Sequence, residues 1–326
     1  MDVAKLLGLE VAKTLGKGYY FTPLPYWHEE TNYTWAKLDL QEGDNEIWVY
    51  YGSETATDES DGDSVFEFFD DFEGTELDTS KWALDSGLTY NMSGSVLTVD
   101  MAKGCAHQVS GGLEGKAITT RAKQNETDIS YTGVFGSPMS SRYTAGNNAN
   151  ADATVLYMTN TNSTELYVWI GDGSSASYNV IGGASLSTSL TIGAFYTFEV
   201  IVFDDGVELY RNGSKLYENH SITWHKSLAW VRLGFFNDDS TETKAQSTSY
   251  DRIFIRKYSS SPPSISYSSE ESGSWTIDGH TFTKRKKVTI TSSQALSGYQ
   301  IQLDYSQWGE PGIKIMRKVQ VVGELG

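Results

Sequence analysis

Five side chains in three apolar stretches of the chain are of the types that proteins use to bind sugars. Aromatic rings stack on the apolar faces of sugars, and carboxylate and guanidinium groups bond to sugar hydroxyls. In each stretch these residues alternate with apolar ones, so β-strands would direct the apolar residues into a core and the others to the opposite face. The predicted glycan-binding face consists of Tyr167, Trp169, Glu199, Trp230 and Arg232. It requires the strands to be neighbours, and the alternative is an aromatic face covered by a loop or a flanking domain.

A second candidate site lies in the aromatic run from Phe68 to Phe72, which Asp70 and Asp71 interrupt before Trp82. Carboxylates in an apolar run are costly to bury unless they are ion-paired, hydrogen-bonded or bound to a metal. The alternative is a surface strand whose acids lie in water.

The composition predicts an all-β protein. The 326 residues include 20 tyrosines and 31 glycines, with many serines and threonines and few helical patterns. This mixture is typical of short strands joined by turns. The formal net charge of −17 argues against nucleic acid as a partner, because phosphates would be repelled. It is compatible with cation binding or an exposed surface role.

Cysteine content and hydropathy restrict the class further. Cys105 is the single cysteine, so an intramolecular disulfide is impossible, and its spacing from His107 is no evidence of a catalytic dyad. No apolar run reaches about 18 residues, so we expect no membrane insertion. Met1 to Lys17 lacks the features of a signal peptide, so the chain is either intracellular or a processed piece of a larger protein. Asn-x-Ser/Thr sequons favour the cell exterior or a virion; they begin at Asn32, Asn91, Asn125, Asn162, Asn212 and Asn219.

Local patterns predict the elements that must position these residues. The apolar spacing over 2–15 predicts a short helix that packs on a sheet. From Tyr19 onward the pattern predicts strands separated by polar turns, including a hairpin at Asn212 and Gly213. The polar stretches 58–63 and 259–264 predict linkers.

The segment at 70–82 also resembles a known motif. Its sequence, Asp-Asp-Phe-Glu-Gly-Thr-Glu-Leu-Asp-Thr-Ser-Lys-Trp, is similar to the opening strand of concanavalin-like jelly rolls. Laminin-G-like lectin domains and laminarinase-type glycoside hydrolases share this sandwich, and 250–255 resembles their closing strand. The resemblance implies a two-sheet jelly roll over residues 66–258. It also implies a structural calcium ion held by Asp71 and Asp251 together with carbonyls and water, about six to eight oxygens in all. Asp71 stands where those hydrolases usually carry Glu.

The same resemblance bears on catalysis. Laminarinase-type hydrolases need a Glu-x-Asp-x-(x)-Glu strand, whose alternation puts the nucleophile and the general acid/base about 5–5.5 Å apart on one side of the sheet. No such segment occurs here, because 125–128 and 199–204 lack the paired spacing. We therefore predict no catalytic residues. A carboxylate pair from separate strands is the route left open to a hydrolase or lyase.

The N-terminal part resembles a second family. Leu-Pro-Tyr-Trp-x-Glu at 24–29, Trp-x-Lys at 35–37 and Ile-Trp-Val-Tyr-Tyr-Gly at 47–52 are similar to the second half of a small β-domain of unknown function, the DUF2341 type, found in archaeal and bacterial surface proteins. Residues 286–303 resemble the first half of the same domain.

The two halves therefore occur in reversed order around the sandwich. The predicted domains are 1–65, 66–258 and 259–326. The halves could close on each other within one chain, as in a circular permutation, or the C-terminal half of one subunit could complete the N-terminal half of the next. The third possibility is a piece cut from a tandem array.

Together these features predict a non-enzymatic recognition or adhesion protein of the cell exterior, cell surface or virion. Its partner would be a carbohydrate or glycoprotein, and calcium would be a structural cofactor. The first alternative is a structural subunit that self-associates through its half-domains. The second is a polysaccharide-cleaving hydrolase or lyase.

Overall fold

The computed structural model describes residues 19–29, 33–100, 104–125, 132–133, 139–140, 153–159, 165–172, 180–234, 247–309 and 312–320. It divides the chain into two compact units. Residues 1–66 and 259–326 form one unit, the split domain, and residues 67–258 form the other, the central sandwich. The helix predicted at 2–15 lies outside the described residues.

The regular secondary structure of the described residues is almost entirely β-strand. The N-terminal segment holds β1 (Tyr19–Pro23), β2 (Tyr26–Glu29), β3 (Tyr33–Leu40), β4 (Gly43–Tyr51) and a short helix α1 (Gly62–Val65). The first part of the sandwich holds β5 (Phe68–Asp70), β6 (Ala83–Leu84), β7 (Tyr90–Met92), β8 (Leu97–Asp100), β9 (Gly104–Gln108), β10 (Lys116–Gln124), β11 (Thr132–Gly133) and β12 (Met139–Ser140).

The second part of the sandwich holds β13 (Ala153–Thr159), β14 (Glu165–Asp172), β15 (Val180–Ser189), β16 (Tyr196–Phe203), β17 (Gly206–Arg211), β18 (Ser214–Asn219), β19 (Trp230–Gly234) and β20 (Ser247–Lys257). The C-terminal segment holds β21 (Ser264–Tyr267), β22 (Glu271–Ile277), β23 (His280–Ser292), β24 (Leu296–Asp304), a 3₁₀ turn (Tyr305–Gln307) and β25 (Lys314–Gln320). No helix in the described part of the chain is long and apolar enough to span a bilayer.

The split domain is built from both ends of the chain. Its larger sheet has the order β1-β25-β4-β23-β21, with β22 also paired to β23, and its smaller sheet has the order β2-β3-β24. Residues of both sheets share one core, in which Ile47 and Leu38 pack with Val288 and Ile301. Of the three arrangements considered above, the structure shows the first: the two terminal segments of one chain pair with each other.

The residues that marked the N-terminal family resemblance hold this domain together. Glu29 accepts a hydrogen bond from the indole Nε1 of Trp35 at 2.8 Å, which satisfies a carboxylate that is only 6 % exposed. The Tyr26 hydroxyl donates to the carbonyl of Ile313 at 3.0 Å, and the Lys37 ammonium donates to the carbonyl of Ser64 at 3.2 Å. These side chains are structural anchors.

The central sandwich is a two-sheet jelly roll, as the opening motif implied. Sheet I has the order β18-β17-β16-β10-β20-β8-β7, with β5 also paired to β20, and sheet II has the order β15-β14-β13-β12-β19-β9-β6, with β11 also paired to β13. The core contains buried residues of both sheets, such as Phe198 and Ile253 of sheet I and Val168 and Leu233 of sheet II. Alternation along each strand explains which residues enter it.

Two local features of the sandwich follow from its sequence. The predicted hairpin joins β17 to β18, where Arg211 pairs with Ser214 around Asn212 and Gly213, both with positive φ. The opening strand β5 pairs with the closing strand β20. The chain therefore enters and leaves the sandwich on neighbouring strands.

Candidate ligand-binding surface

Sheet II brings three of the predicted aromatic positions to one side. In β14, Leu166, Val168 and Ile170 enter the core, so positions 167 and 169 fall on the outer side. Gly171 of β14 pairs with Thr154 of β13, which pairs with Ser140 of β12. Ser140 in turn pairs with Trp230 of β19, and paired residues share a side of the sheet. The aromatic positions of β14 and β19 therefore lie on the same side of one sheet. The side chains of Tyr167 and Trp169 lie outside the described part of the structure.

The cross-strand neighbours of positions 167 and 169 differ between the two adjacent strands. On β13, Leu156 pairs with Trp169 and Met158 pairs with Tyr167. On β15, Gly183 pairs with Trp169 and Ser185 pairs with Tyr167, so neither aromatic position has a bulky residue beside it on that strand. On the other flank, Trp230 is partly exposed and pairs with Gln108 of β9, which is exposed. Three strand spacings, about 14 Å, separate β14 from β19. The surface is therefore wide enough for an extended ligand with several apolar faces.

Arg232 is not part of that open surface, contrary to the prediction. It lies on the outer side of β19 but is only 4 % exposed, and its guanidinium forms a two-pronged ion pair with Asp85, just after β6. Asp85 also accepts a hydrogen bond from the backbone N–H of Gly104 at 2.8 Å. Both ions are thus desolvated and paired with each other, so Arg232 positions β19 and is unavailable to a ligand.

Gly104 makes room for this ion pair. A Cβ atom at this position would stand 2.2 Å from the carbonyl oxygen of Leu233 and 3.1 Å from the Arg232 guanidinium. Only glycine therefore lets β9 and β19 approach closely enough for the arginine to lie across them. Neither Gly104 nor Asp85 carries a sequence signal of this role, because the pairing joins residues far apart in the chain.

Glu199 is also wrongly placed in the predicted face. Its strand β16 belongs to sheet I, the opposite layer of the sandwich, and its side chain lies away from the core that Phe198 and Val200 enter. One carboxylate oxygen accepts hydrogen bonds from Thr119 at 3.0 Å and Arg256 at 2.8 Å. The predicted set is therefore divided between two sheets.

The two residues implied as calcium ligands have different surroundings. The carboxylate of Asp251 pairs with the guanidinium of Arg121, and a second guanidinium, of Arg252, lies 3.8 Å away. Asp251 is the extra residue of a β-bulge between β10 and β20. For Asp71, burial raises the carboxyl pKa, and the charge of Glu73 raises it further. Because Asp251 already has cationic partners, this pair does not fit a calcium ion in the described structure, and the calcium site stays an untested prediction.

The neighbouring Asp70 has a structural task that the sequence did not reveal. Its carboxylate accepts hydrogen bonds from the backbone N–H of Phe72 at 2.8 Å and the indole N–H of Trp82 at 2.6 Å. Phe72 adopts a positive φ of 55° and is fully buried. Asp70 therefore holds the sharp turn that the opening motif makes, although burial raises the pKa of its carboxyl.

One other cluster in the described residues has the donor types of a metal site. Glu208, Glu218 and His220 offer ligand atoms within 4.8 Å of one another. The ammonium of Lys215 already lies among them, 2.7 Å from Glu208 and 2.9 Å from Glu218. The cluster at this hairpin end thus already holds a cation between its two carboxylates, and it includes neither Asp71 nor Asp251.

Comparison of the sequence with family models gives one match. The model described as a domain of unknown function, DUF2341, matches residues 18–85, about a fifth of the chain. This confirms the resemblance of the N-terminal segment and its continuation into the opening motif. The resemblance of 286–303 lies outside the matched range and stays a prediction. A search of curated protein sequences found no match.

Solved structures similar to this chain are distant jelly rolls. The laminarinase catalytic domain of Thermotoga petrophila RKU-1 is 13 % identical, over 58 % of this chain and 96 % of that chain, with a TM-score of 0.41. The endo-β-1,3-glucanase of Pyrococcus furiosus is 12 % identical over 60 % and 94 %, with a TM-score of 0.43. The carbohydrate-binding module CBM66 of Bacillus subtilis is 7 % identical over 54 % and 94 %, with a TM-score of 0.37. Likeness this distant does not indicate what the present chain binds or cleaves.

Proposed function

We propose that this protein is a non-enzymatic carbohydrate-recognition protein that binds an oligosaccharide on the outer side of sheet II. The observation that supports it is the register that places Trp230 and positions 167 and 169 on one side of one sheet. Aromatic planes a few strands apart suit successive sugar rings, and the exposed amide of Gln108 suits their hydroxyls. The buried Asp85–Arg232 pair fixes β19 and so holds Trp230 in place.

Two acids of the sandwich, Asp85 and Glu199, are engaged in its structure, which favours recognition over cleavage by these two groups. Glycoside hydrolysis needs two carboxyl groups free to face the scissile bond. Both oxygens of Asp85 accept hydrogen bonds, from Arg232 and from Gly104, and Glu199 is engaged by Thr119 and Arg256. Asp85, just after β6, and Glu199 of β16 hold the structure of the sandwich together, so we assign them no catalytic role.

We place the protein outside the cell, at a cell surface or on a virion. The strongly acidic charge suits an exposed, soluble role. The sequon at Asn91 lies on an exposed position of β7, a strand at the edge of sheet I. The sequon at Asn125 is less accessible, because its amide donates hydrogen bonds to Ser247 and Ser249, each at 3.0 Å.

The test is a glycan array probed with the full chain, followed by a reducing-end assay on every glycan that binds. The proposal predicts binding without release of new reducing ends. Release of reducing ends would support the hydrolase alternative, and the absence of binding to any arrayed glycan would contradict carbohydrate recognition.

A further inference from the structure

The N-terminal segment of the split domain makes most of its strand pairs with the C-terminal segment, whereas the C-terminal segment also pairs β21 and β22 with its own β23. The N-terminal strand β4 lies between the C-terminal strands β25 and β23, and β1 pairs with β25. The N-terminal strand β3 pairs with the C-terminal strand β24 from Leu40 to Tyr33. Among the described residues, β2 with β3 is the pair that the N-terminal segment makes within itself. Without its partner, each segment would leave long strand edges unpaired.

The cores of the split domain show the same dependence. On one face of the larger sheet, Ile47 and Val49 of β4 pack with Val288 and Ile315 of the C-terminal segment. On the other face, Tyr50 packs with Phe282 and Met316. Alone, the N-terminal segment keeps only the two-stranded ribbon β2-β3 among the described residues, and such ribbons are marginally stable at best. The C-terminal segment keeps β21 and β22 on β23 but loses the apolar side chains of β4 from both faces of the sheet.

The chain path explains how one chain closes this domain. The backbone N–H of Glu67 donates to the carbonyl of Ile255 at 3.0 Å, so the two ends of the central sandwich lie side by side. The segments that continue from these ends therefore start close together, and their effective concentration for each other is high. The C-terminal connection, Ser259 to Pro263, ends in two prolines and is short and stiff.

We propose that residues 259–320 of one copy can complete residues 19–66 of a second copy, so that the chain exchanges its C-terminal segment between two subunits. The acceptor surface is the pair of edges of β4 and the free edge of β3. The partner is a second copy because its segment offers the same register, side chains and core contacts as the native one. An exchanged dimer needs no new contact, and it differs from two closed monomers in its connections and in its dependence on concentration. This inference does not rest on carbohydrate binding.

The first test uses two full-length variants with different affinity tags. Ile47→Asp puts a charge into the N-terminal half of the core, and Ile290→Asp puts one into the C-terminal half; both residues are fully buried. Neither variant can close its own split domain, but together they hold one intact N-terminal and one intact C-terminal segment. We expect the co-expressed pair to purify through both tags as a dimer of twice the single-chain mass. Differently tagged copies of Ile47→Asp with itself are the control and stay separate. Failure of the mixed pair to associate, with both central sandwiches folded by circular dichroism, overturns the proposal.

A second test needs no destabilised variant. The Thr291 hydroxyl donates to the Asp44 carboxylate at 2.6 Å, and the two residues pair across β4 and β23, so Asp44→Cys with Thr291→Cys places two thiols together. The native Cys105 is buried. After refolding at increasing protein concentration, the reduced variant gives a rising fraction of dimer. The same variant, oxidised as a monomer before the concentration series and kept oxidised, stays a monomer. An equal dimer fraction in the two forms contradicts segment exchange.

Discussion

Arg232 and Asp85 form a buried ion pair on sheet II, each with a side chain 4 % exposed. They lie far apart in the chain, on β19 and just after β6, and the pair joins the strand that carries Trp230 to the edge of its sheet. Arginine suits this position because its planar fork engages both oxygens of a carboxylate. A residue predicted to bind a ligand is thus part of the frame that holds the ligand-binding surface.

The first prediction concerns the stability that the Arg232–Asp85 ion pair provides. Arg232→Met leaves the Asp85 charge buried and unpaired, so we expect the free energy of unfolding to fall by about 3–5 kcal/mol in urea titrations. In the double variant Asp85→Asn with Arg232→Met, the amide oxygen still accepts from Gly104 and no charge is buried, so the loss is smaller. Arg256→Met removes a more exposed pair and serves as the control. Equal losses of unfolding free energy in the single and double variants would show that the unpaired buried charge does not cause the destabilisation.

The second prediction is a loss of stability in mild acid. Burial lowers the pKa of His28, against the opposing charge of Asp58, and burial lowers the pKa of His107, which stacks on Phe68 with ring centroids 3.7 Å apart. The folded chain therefore binds fewer protons than the unfolded chain. The stabilisation is complete above the ordinary histidine pKa of 6.5 and is lost as the pH falls below it.

Urea midpoints measured above and below that pH provide the check. We expect His28→Gln with His107→Gln to flatten the pH dependence, while His225→Gln, at an exposed position, leaves it unchanged. If the double variant keeps the full pH dependence of the urea midpoint, groups other than His28 and His107 cause the acid sensitivity.

The third prediction separates an ion pair from a metal site at Asp251. Because Arg121 already supplies the positive charge, we expect EDTA to leave the melting temperature unchanged and Arg121→Gln to cost about 1.5–3 kcal/mol. Lys123→Gln is the matched control, since Lys123 and Arg121 both lie over the Phe195 ring, at 4.9 and 4.7 Å. A drop in melting temperature with EDTA that Asp71→Asn or Asp251→Asn abolishes would instead support calcium.

The sequence predicted which side of each strand faces the core better than it predicted which strands lie next to each other. Alternation assigned the core side of β14, β16 and β19 correctly, because burial of every second residue is a property of one strand. It could not place Glu199 in sheet I and Trp230 in sheet II, because strand order depends on contacts between distant segments. The burial of Arg232 could not be predicted from the sequence either, because its partner Asp85 lies far away in the chain. The opening motif was recognisable because its turn is local and Asp70, Phe72 and Trp82 all serve it.

The central claim is that the outer side of sheet II binds carbohydrate, and affinity electrophoresis in gels that contain a glycan selected on the array tests it most directly. Trp230→Ala should abolish the retardation that the glycan causes, and Trp230→Phe should retain part of it because the ring can still stack. Trp275→Ala, at a partly exposed position of the split domain, should migrate like the unaltered protein. Retardation of Trp230→Ala equal to that of the unaltered protein would contradict the assignment of this surface.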